Sequence, residues 1–598
     1  MAVLDAPGGV RVNDPDTVER PVLLDAPTRT FGSDRVADVL RALDIPFVAL
    51  NPGASFRGLH DSLVNHLGNE HPRMLLCLHE EHAVALAHGW AKVTERPMAV
   101  VLHSNVGLMH GTMAIFNAWC DRVPVLVLGA TGPVDAAQRR PWIDWIHTAR
   151  DQGALVRGYT KWDDQPASAA AAVESVLRAH LIATTAPFGP TYVNLDAGMQ
   201  EAEAPQAPAP DVSRYRAPSP PAPDLATLAA AVAALRTART PLILCGRTSR
   251  SQDGWDARVR LAERLGAAVL TDMKAAAAFP TAHRLHAAPA AMFPGPSAAA
   301  ALRQADVVLS LDWIDLAGTL TASGATPGTV IQVSLDQLVH NGWSMDHQGL
   351  PPVDHALLCT PEAAVAGLLT ALGDGANEAW LPPAQPAAPL GDGPLAVPHL
   401  AMALRSALAG HDTCLVRSPL SWSGAFWELA EPLDALGYDG GGGIGSGPGM
   451  LVGAALALRG TGRLPVAVLG DGDFLMGCTA MWTAARYGIP LLAVIANNRS
   501  FYNDEVHQER VAIARGRNPA NKWIGQQIGG PDIDLAAMAR AQGCTAFGPV
   551  HDAAGLEAAL AQAVQALLAG APVVVDVRVQ PGYGAKMQAA LTRGAGHG

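Results

Sequence analysis

Short apolar runs alternate with Ala- and Leu-rich stretches along almost the whole chain, and that alternation leaves few folds open. The runs PFVAL (46–50), MLLCL (74–78), MAVVL (98–102) and VPVLVLG (123–129) read as buried strands, with a helix over 80–93. The same pattern gives strands at 241–246, 267–272, 306–311 and 329–336, then at 464–472, 489–498 and 572–579. Strands that are apolar on both faces need cover on both faces, which predicts parallel sheets flanked by helices. Two segments rich in Pro and Ala, 201–223 and 382–398, have almost no apolar periodicity and read as linkers. A chain of 598 residues is too long for one core. The linkers divide it into blocks at 28–200, 224–380 and 399–585. The expected fold class is α/β, with three doubly wound parallel-sheet domains. In such sheets ligands sit beyond the carboxyl ends of the strands, where βα loops converge.

Composition narrows the function. A net charge of -12 with no basic stretch argues against a nucleic-acid binder. No run of about twenty apolar residues escapes charges or helix breakers, so no membrane-spanning helix is expected. The first residues, MAVLDAPGGVRVNDPDTVERP, carry acids and prolines where a signal peptide needs an unbroken apolar core. Seven scattered cysteines form no C-x-x-C pair and read as free thiols in a reducing compartment, so a cytoplasmic protein is expected.

The third block holds the sharpest chemical signal. Its strand LPVAVLG ends abruptly in Asp471, between Gly470 and Gly472, and the next apolar strand ends twenty-seven residues later at Asn498. The segment between them has helical periodicity and stops at Gly488, so this is one βαβ unit with an oxygen donor at each strand end. Adjacent strands lie about 4.8 Å apart, which lets both side chains reach one ion. A carboxylate and an amide carbonyl suit magnesium, which leaves coordination positions for phosphate oxygens. Taken singly, Asp-Gly and Asn-Asn are ordinary turn chemistry; at this spacing, after two buried strands, the turn reading is the poorer one.

Gly470-Asp471-Gly472 followed by Asn497-Asn498 resembles the cofactor signature of thiamine diphosphate-dependent enzymes. The resemblance implies Mg²⁺ on Asp471, Asn498 and the backbone carbonyl of Ser500, with Gly472 and Asp473 beside the diphosphate. It also places Ser418, Gly442, Phe501 and Tyr502 around the cofactor. The tract Gly440–Gly447 contains G-x-G-x-x-G, but no strand leads into it as a dinucleotide site requires. In thiamine enzymes a comparable tract carries one bulky apolar residue that keeps the cofactor bent; Ile444 is the only one here.

Thiamine chemistry also needs a buried glutamate to activate the aminopyrimidine ring. LHEEHAVALAHGWAK resembles the H-E-x(8)-G-[YW]-A-[RK] element of the benzoylformate decarboxylase and acetohydroxyacid synthase family, and counting back from Gly89 selects Glu80. Simple helix-dipole complementation is the bland alternative for such a glutamate. His103 follows a strand 23 residues beyond Glu80 and looks like the active-site histidine of benzoylformate decarboxylases, with a strand-capping histidine as the alternative.

Asn51-Pro52-Gly53-Ala54-Ser55 resembles the family's N-P-G-S turn, except that Ala54 stands where the substrate-contacting serine belongs and Ser55 comes one place late. The central region DVVLSLDWIDLAG lacks the second catalytic histidine of those decarboxylases. Tyr502 and His507, in the stretch after Asn498, are further substrate-side candidates. Gly246-Arg247-Thr248 is too weak a signal for an adenine nucleotide, and FAD is not expected.

The family shares its active sites between subunits, which implies a homodimer or homotetramer acting on a small 2-oxo acid or aldehyde. The leading expectation is a decarboxylase or carboligase of the benzoylformate decarboxylase type. Alternatives are an acetolactate synthase-like acyloin-forming transferase, a lyase of a 2-hydroxy ketone or acyl-CoA, and a non-catalytic nucleotide-binding protein on the same fold.

Overall fold

In the computed structural model the chain is described over residues 19–22, 29–208, 210–339, 349–382 and 393–582. Most of the N-terminal segment and of the 382–398 linker lies outside the described residues. The described part of the 201–223 linker is irregular apart from the last residue of the helix Ala197–Glu201, a bridge at Glu203 and a 3₁₀ turn at Val212–Arg214. The tail of the second linker enters a helix, Val397–Ala407.

Among the described residues sixteen strands form three sheets in which every strand pairing is parallel. The first comprises β1 (Phe47–Leu50), β2 (Arg73–Leu76), β3 (Ala99–Leu102), β4 (Leu126–Thr131), β5 (Asp163–Asp164) and β6 (Thr191–Asp196). The second comprises β7 (Pro241–Cys245), β8 (Ala268–Thr271), β9 (Val307–Leu311), β10 (Thr329–Val333) and β11 (His355–Leu357). The third comprises β12 (Thr413–Arg417), β13 (Leu464–Gly470), β14 (Leu491–Asn497), β15 (Thr545–Val550) and β16 (Pro572–Arg578). The three α/β domains expected from the sequence are present.

Strand order in the first sheet is β2-β1-β3-β4-β6-β5. The chain leaves β1 to one side for β2 and returns to its other side as β3, so the loops after β1 and β3 part around a crevice. In the third sheet the order is β12-β13-β14-β16-β15, and β13 and β14 are neighbours with Gly470 opposite Ala496. Several ends differ from expectation. The strand read to Leu78 stops at Leu76, and the one read from Val123 begins at Leu126. The helical stretch after Asp471 is two short helices, Asp471–Gly477 and Ala480–Arg486, and the first begins on Asp471 itself.

The first and third domains meet through the helices Glu80–Thr94 and Gly447–Ala457. A Cβ at Gly89 would lie 2.1 Å from the Met450 carbonyl oxygen, and one at Gly453 would lie 1.8 Å from that of Leu86. The two backbones touch, and only glycine fits at these crossings. Around this joint the Leu76 amide donates to the Tyr487 hydroxyl (2.8 Å) and the Thr483 hydroxyl to the Leu76 carbonyl (3.0 Å). The central domain is tied to the first by Arg122, which bonds Asp336 (2.8 Å).

Candidate active site

At the ends of β13 and β14 the two asparagines have different partners. Asn497 is buried and its amide donates to Asp576 on β16 (2.8 Å), so it belongs to the sheet. Asn498, one residue on and half-buried, turns its carbonyl oxygen to the Ser500 amide (2.8 Å). Asp471 is buried; its Oδ1 accepts from the Gly472 amide (2.9 Å), while Oδ2 is enclosed without a hydrogen-bond partner. Burial pushes this carboxyl up to about 6 despite the nearby backbone amides, of which Gly472 is the first. An enclosed carboxylate oxygen without a partner is costly unless something cationic meets it. Oxygen donors on adjacent strand ends with one such orphan fit a hard dication. Gly472 carries no side chain because the Phe501 ring covers it, with Cε1 2.6 Å from where a Cβ would stand.

The glycine tract is a loop, with no strand leading into it. Gly440, Gly441 and Gly443 press on the helix Ser104–Cys120, where side chains would strike Cys120, Asn117, Phe116 and Met113. Gly442 has φ 67°, a left-handed conformation. The glycines therefore serve the protein's own packing first, and Ile444 stands out of the loop 36% exposed. Asp473 holds the tract from below: its Oδ1 accepts from the amides of Gly445 (2.7 Å) and Gly447 (3.3 Å). Ser418 is buried at the end of β12, next to Arg417. The Arg417 guanidinium stacks on Tyr438 (3.7 Å), 3.2 Å from Asp439 and 3.6 Å from Asp473. Burial pushes Asp439 up to about 7 even beside that arginine.

Tyr502 opens the helix Tyr502–Ala514, which also carries His507, both half-buried. The helix expected after Asn498 is therefore present. Ser500, ahead of it, donates its hydroxyl to buried Glu505.

In the first domain the two adjacent glutamates also part company. Glu81 accepts from Ser446 of the third domain (2.9 Å), and burial raises its carboxyl above the usual range. Glu80 starts the helix beside it and keeps to its own domain. Its Oε2 meets His110 Nδ1 at 3.0 Å, and its Oε1 lies 3.0 Å from where a Cβ at Gly107 would be. His79 caps the helix by accepting from the Glu81 amide (3.1 Å) and stacks on His110 (5.0 Å between ring centres).

The crevice between β1 and β3 brings the N-P-G-A-S turn against His103. A Cβ at Gly53 would run into the histidine, 2.2 Å from its own Cβ. His103 Nδ1 lies 2.8 Å from the Ser55 hydroxyl and receives the Ser55 amide (3.3 Å). Since Ser55 Oγ in turn accepts from the Ser104 amide (3.1 Å), its proton points at the ring. Ser55 is buried behind the histidine, and Ala54 is exposed. Sequence reading missed His110, His147 and the Arg417 cluster. Two helical turns separate His110 from His103, a periodic signal; His147 left none, because it caps a single helical turn, Ile143–Ile146, too short to show periodicity.

In the central domain Arg247 is held by Asp312 (2.9 Å) and Asp336. The guanidinium that followed the G-R turn is thus already paired with two carboxylates.

Against this geometry, three family models align in order. The thiamine pyrophosphate enzyme N-terminal binding domain matches residues 31–155, the central domain 228–341 and the C-terminal binding domain 418–577. The chain belongs to the thiamine pyrophosphate (thiamine diphosphate) enzyme family. It is 28% identical to the benzoylformate decarboxylase of Pseudomonas aeruginosa over 85% of this chain and 92% of that one. It is 23% identical to an acetolactate synthase of Bacillus subtilis over 87% and 92%. A solved 4-hydroxybenzoylformate decarboxylase from Rhodococcus jostii superposes with TM-score 0.74 at 22% identity, covering 93% of this chain and 100% of that one, a likeness of fold. The chain is therefore a thiamine diphosphate-dependent enzyme with decarboxylases and acetolactate synthases among its relatives. No helix among the described residues is long and apolar enough to cross a membrane.

Proposed function

We propose that this enzyme is a 2-oxo acid decarboxylase or carboligase of the benzoylformate decarboxylase type. The observation that carries the reading is the setting of His103. With Nδ1 accepting from Ser55, the ring proton sits on Nε2, and the ring is held neutral as a hydrogen-bond donor to a substrate oxygen. Burial first, then the fields of His147 and Arg140, keep its pKa below the usual histidine value, with Glu80 pulling the other way.

Thiamine diphosphate, when bound, supplies a nucleophilic carbon for the substrate carbonyl and a sink for the electron pair that CO₂ leaves behind. Asp471, Asn498 and the Ser500 carbonyl would hold its Mg²⁺, with Ser418, Gly442, Gly472, Asp473, Phe501 and Tyr502 around the diphosphate and thiazolium and Ile444 between the rings. Glu80 would hold the proton on the aminopyrimidine. His103 and His507 would face the substrate with Ala54, and Ser55 would act through His103.

Trp142 (69% exposed) and Trp145 (73%) stand on the surface of the first domain, with Met109, Ile146 and, from the third domain, Met476 also exposed. A second copy of the chain would cover such residues, which supports a homodimer or homotetramer with sites between subunits. The domain limits that go with this reading are 28–200, 224–380 and 399–585.

A second reading, an acyloin-forming enzyme like acetolactate synthase, is favoured by Ala54, which removes the serine contact expected for an aryl oxo acid. Incubating the holoenzyme with pyruvate, benzoylformate and a panel of small 2-oxo acids tests both. CO₂ with free aldehyde is the expected result. Acetolactate from pyruvate without aldehyde would favour the second reading, and no turnover of any 2-oxo acid would overturn both.

A further inference from the structure

His147 belongs to none of the sequence motifs, yet the fold seats it against His103. The two rings meet edge to face at 82°, with centres 4.7 Å apart. The loop that delivers His147 is fastened rather than loose. Asp144, one turn earlier, accepts from the Arg140 amide (2.7 Å) and guanidinium (2.7 Å), and its carbonyl accepts from the Thr148 hydroxyl (2.6 Å). The Gly132 amide donates to the His147 carbonyl (3.3 Å). Asn105, two residues past His103, donates to the Ile146 carbonyl (3.3 Å) and ties the loop to the same helix start.

The surroundings give the two imidazoles different capacities. His103 has its Nδ1 committed to Ser55, so it can lend a hydrogen bond from Nε2. Giving up that proton outright would leave an imidazolate, which is inaccessible near neutral pH. A decarboxylase must nevertheless deliver a proton to carbon after CO₂ departs, and the central segment 306–318 contains no histidine to do it. Paired groups whose environments differ divide the donor and acid roles between them.

We infer that His147 is the second histidine of this active site, the acid that protonates the product carbon while His103 holds the substrate oxygen. The inference deepens the decarboxylase reading and rests on it. In the step, the bond between carboxylate and carbonyl carbon breaks and CO₂ leaves. The electron pair left on carbon takes a proton from the His147 imidazolium, and the neutral imidazole recovers one from water. The sum is a 2-oxo acid anion plus a proton giving an aldehyde plus CO₂.

The test uses the holoenzyme with a 2-oxo acid that it turns over, comparing the parent with His147→Gln and His147→Ala. Aldehyde formation should fall about 100-fold or more, the usual worth of a positioned acid. Ferricyanide offers a route that needs no carbon protonation: two ferricyanide ions take the electron pair, and water releases the acyl group as the acid. Ferricyanide-coupled CO₂ release should therefore fall less than about tenfold. A second readout, independent of turnover, is ¹⁵N NMR of His103 in the cofactor-free protein. The parent should show the Nε2–H tautomer, and His147→Gln should raise the His103 midpoint by removing one of the positive fields that lower it. Equal losses in both assays, unchanged aldehyde formation, or a His103 protonated at Nδ1 in the neutral ring would overturn the assignment. A parent enzyme that releases no CO₂ from any 2-oxo acid would overturn the decarboxylase reading along with it.

Discussion

Asn497 and Asn498, and likewise Glu80 and Glu81, are identical neighbours that the fold sends to different partners, and substitutions should separate them. Glu80→Gln should cut turnover by about 10²–10⁴-fold with cofactor binding largely intact, as measured by steady-state kinetics beside calorimetry. Glu81→Gln should leave the chemistry nearer normal, because its partner is Ser446 at the domain joint. Asn498→Ala should abolish the Mg²⁺-dependent part of cofactor retention, read as the difference between titrations with and without chelator. Asn497→Ala should instead destabilise the third domain by about 1–3 kcal/mol in denaturant unfolding, because Asp576 loses its buried partner. Spacing could place Asp471 and Asn498 at the ends of neighbouring strands, because short-range geometry fixes how far a donor lies from its strand, whereas Glu80 is selected by resemblance to the family's helix-start element. Spacing could not reveal that Ser55 hydrogen-bonds His103. That contact depends on β1 and β3 being neighbours, which is a property of strand order and not of local sequence.

Among the elements, the helices Glu80–Thr94 and Gly447–Ala457 constrain the architecture most. Gly89→Ala has no room: its methyl would overlap the Met450 carbonyl, and the two backbones would have to part. Overpacking of this kind costs about 1–3 kcal/mol and often more where backbone is struck. The variant should unfold at lower denaturant, and cofactor affinity should fall with the separation of the domains. The same elements show why some strands were legible and others not. β13 and β14 are buried on both faces and read as unbroken apolar runs. β5 and β11 are only two and three residues long, β12 has three apolar residues between Thr413 and Arg417, and β15 is interrupted by Gly548 and Pro549. β6 is interior, but it carries Asn194, bonded to Gln152 (3.2 Å) and Gln165 (2.9 Å), which breaks the apolar signal. The helix after Asp471 read as continuous because periodicity does not register the break at Cys478–Thr479.

For the whole molecule, acid stability follows from three enclosed histidines. Burial is the main reason that His82, His180 and His286 are each pushed down to about 4. Below pH 6.5 the unfolded chain takes up protons that the folded chain refuses, so stability is full above 6.5 and falls as pH drops towards 4. Each histidine contributes up to roughly 1.4 kcal/mol per pH unit across that window. Thermal unfolding from pH 8 to 4 should show this decline, and His180→Asn should make it shallower, with His82 and His286 still contributing.

The assembly has its own check. Trp145→Asp should shift sedimentation towards smaller species and lower activity together if a second copy covers that surface, whereas a monomeric enzyme would be indifferent. The helix Ser104–Cys120 adds a constraint of another kind. It begins beside His103 and His110, and farther along its length Met113 and Phe116 support the loop that carries Ile444. A tilt of this one rod would shift the histidines at its beginning and the isoleucine farther along together. If each pocket is built from two chains, those residues serve different pockets, and the helix becomes a lever through which filling one site is felt at the other.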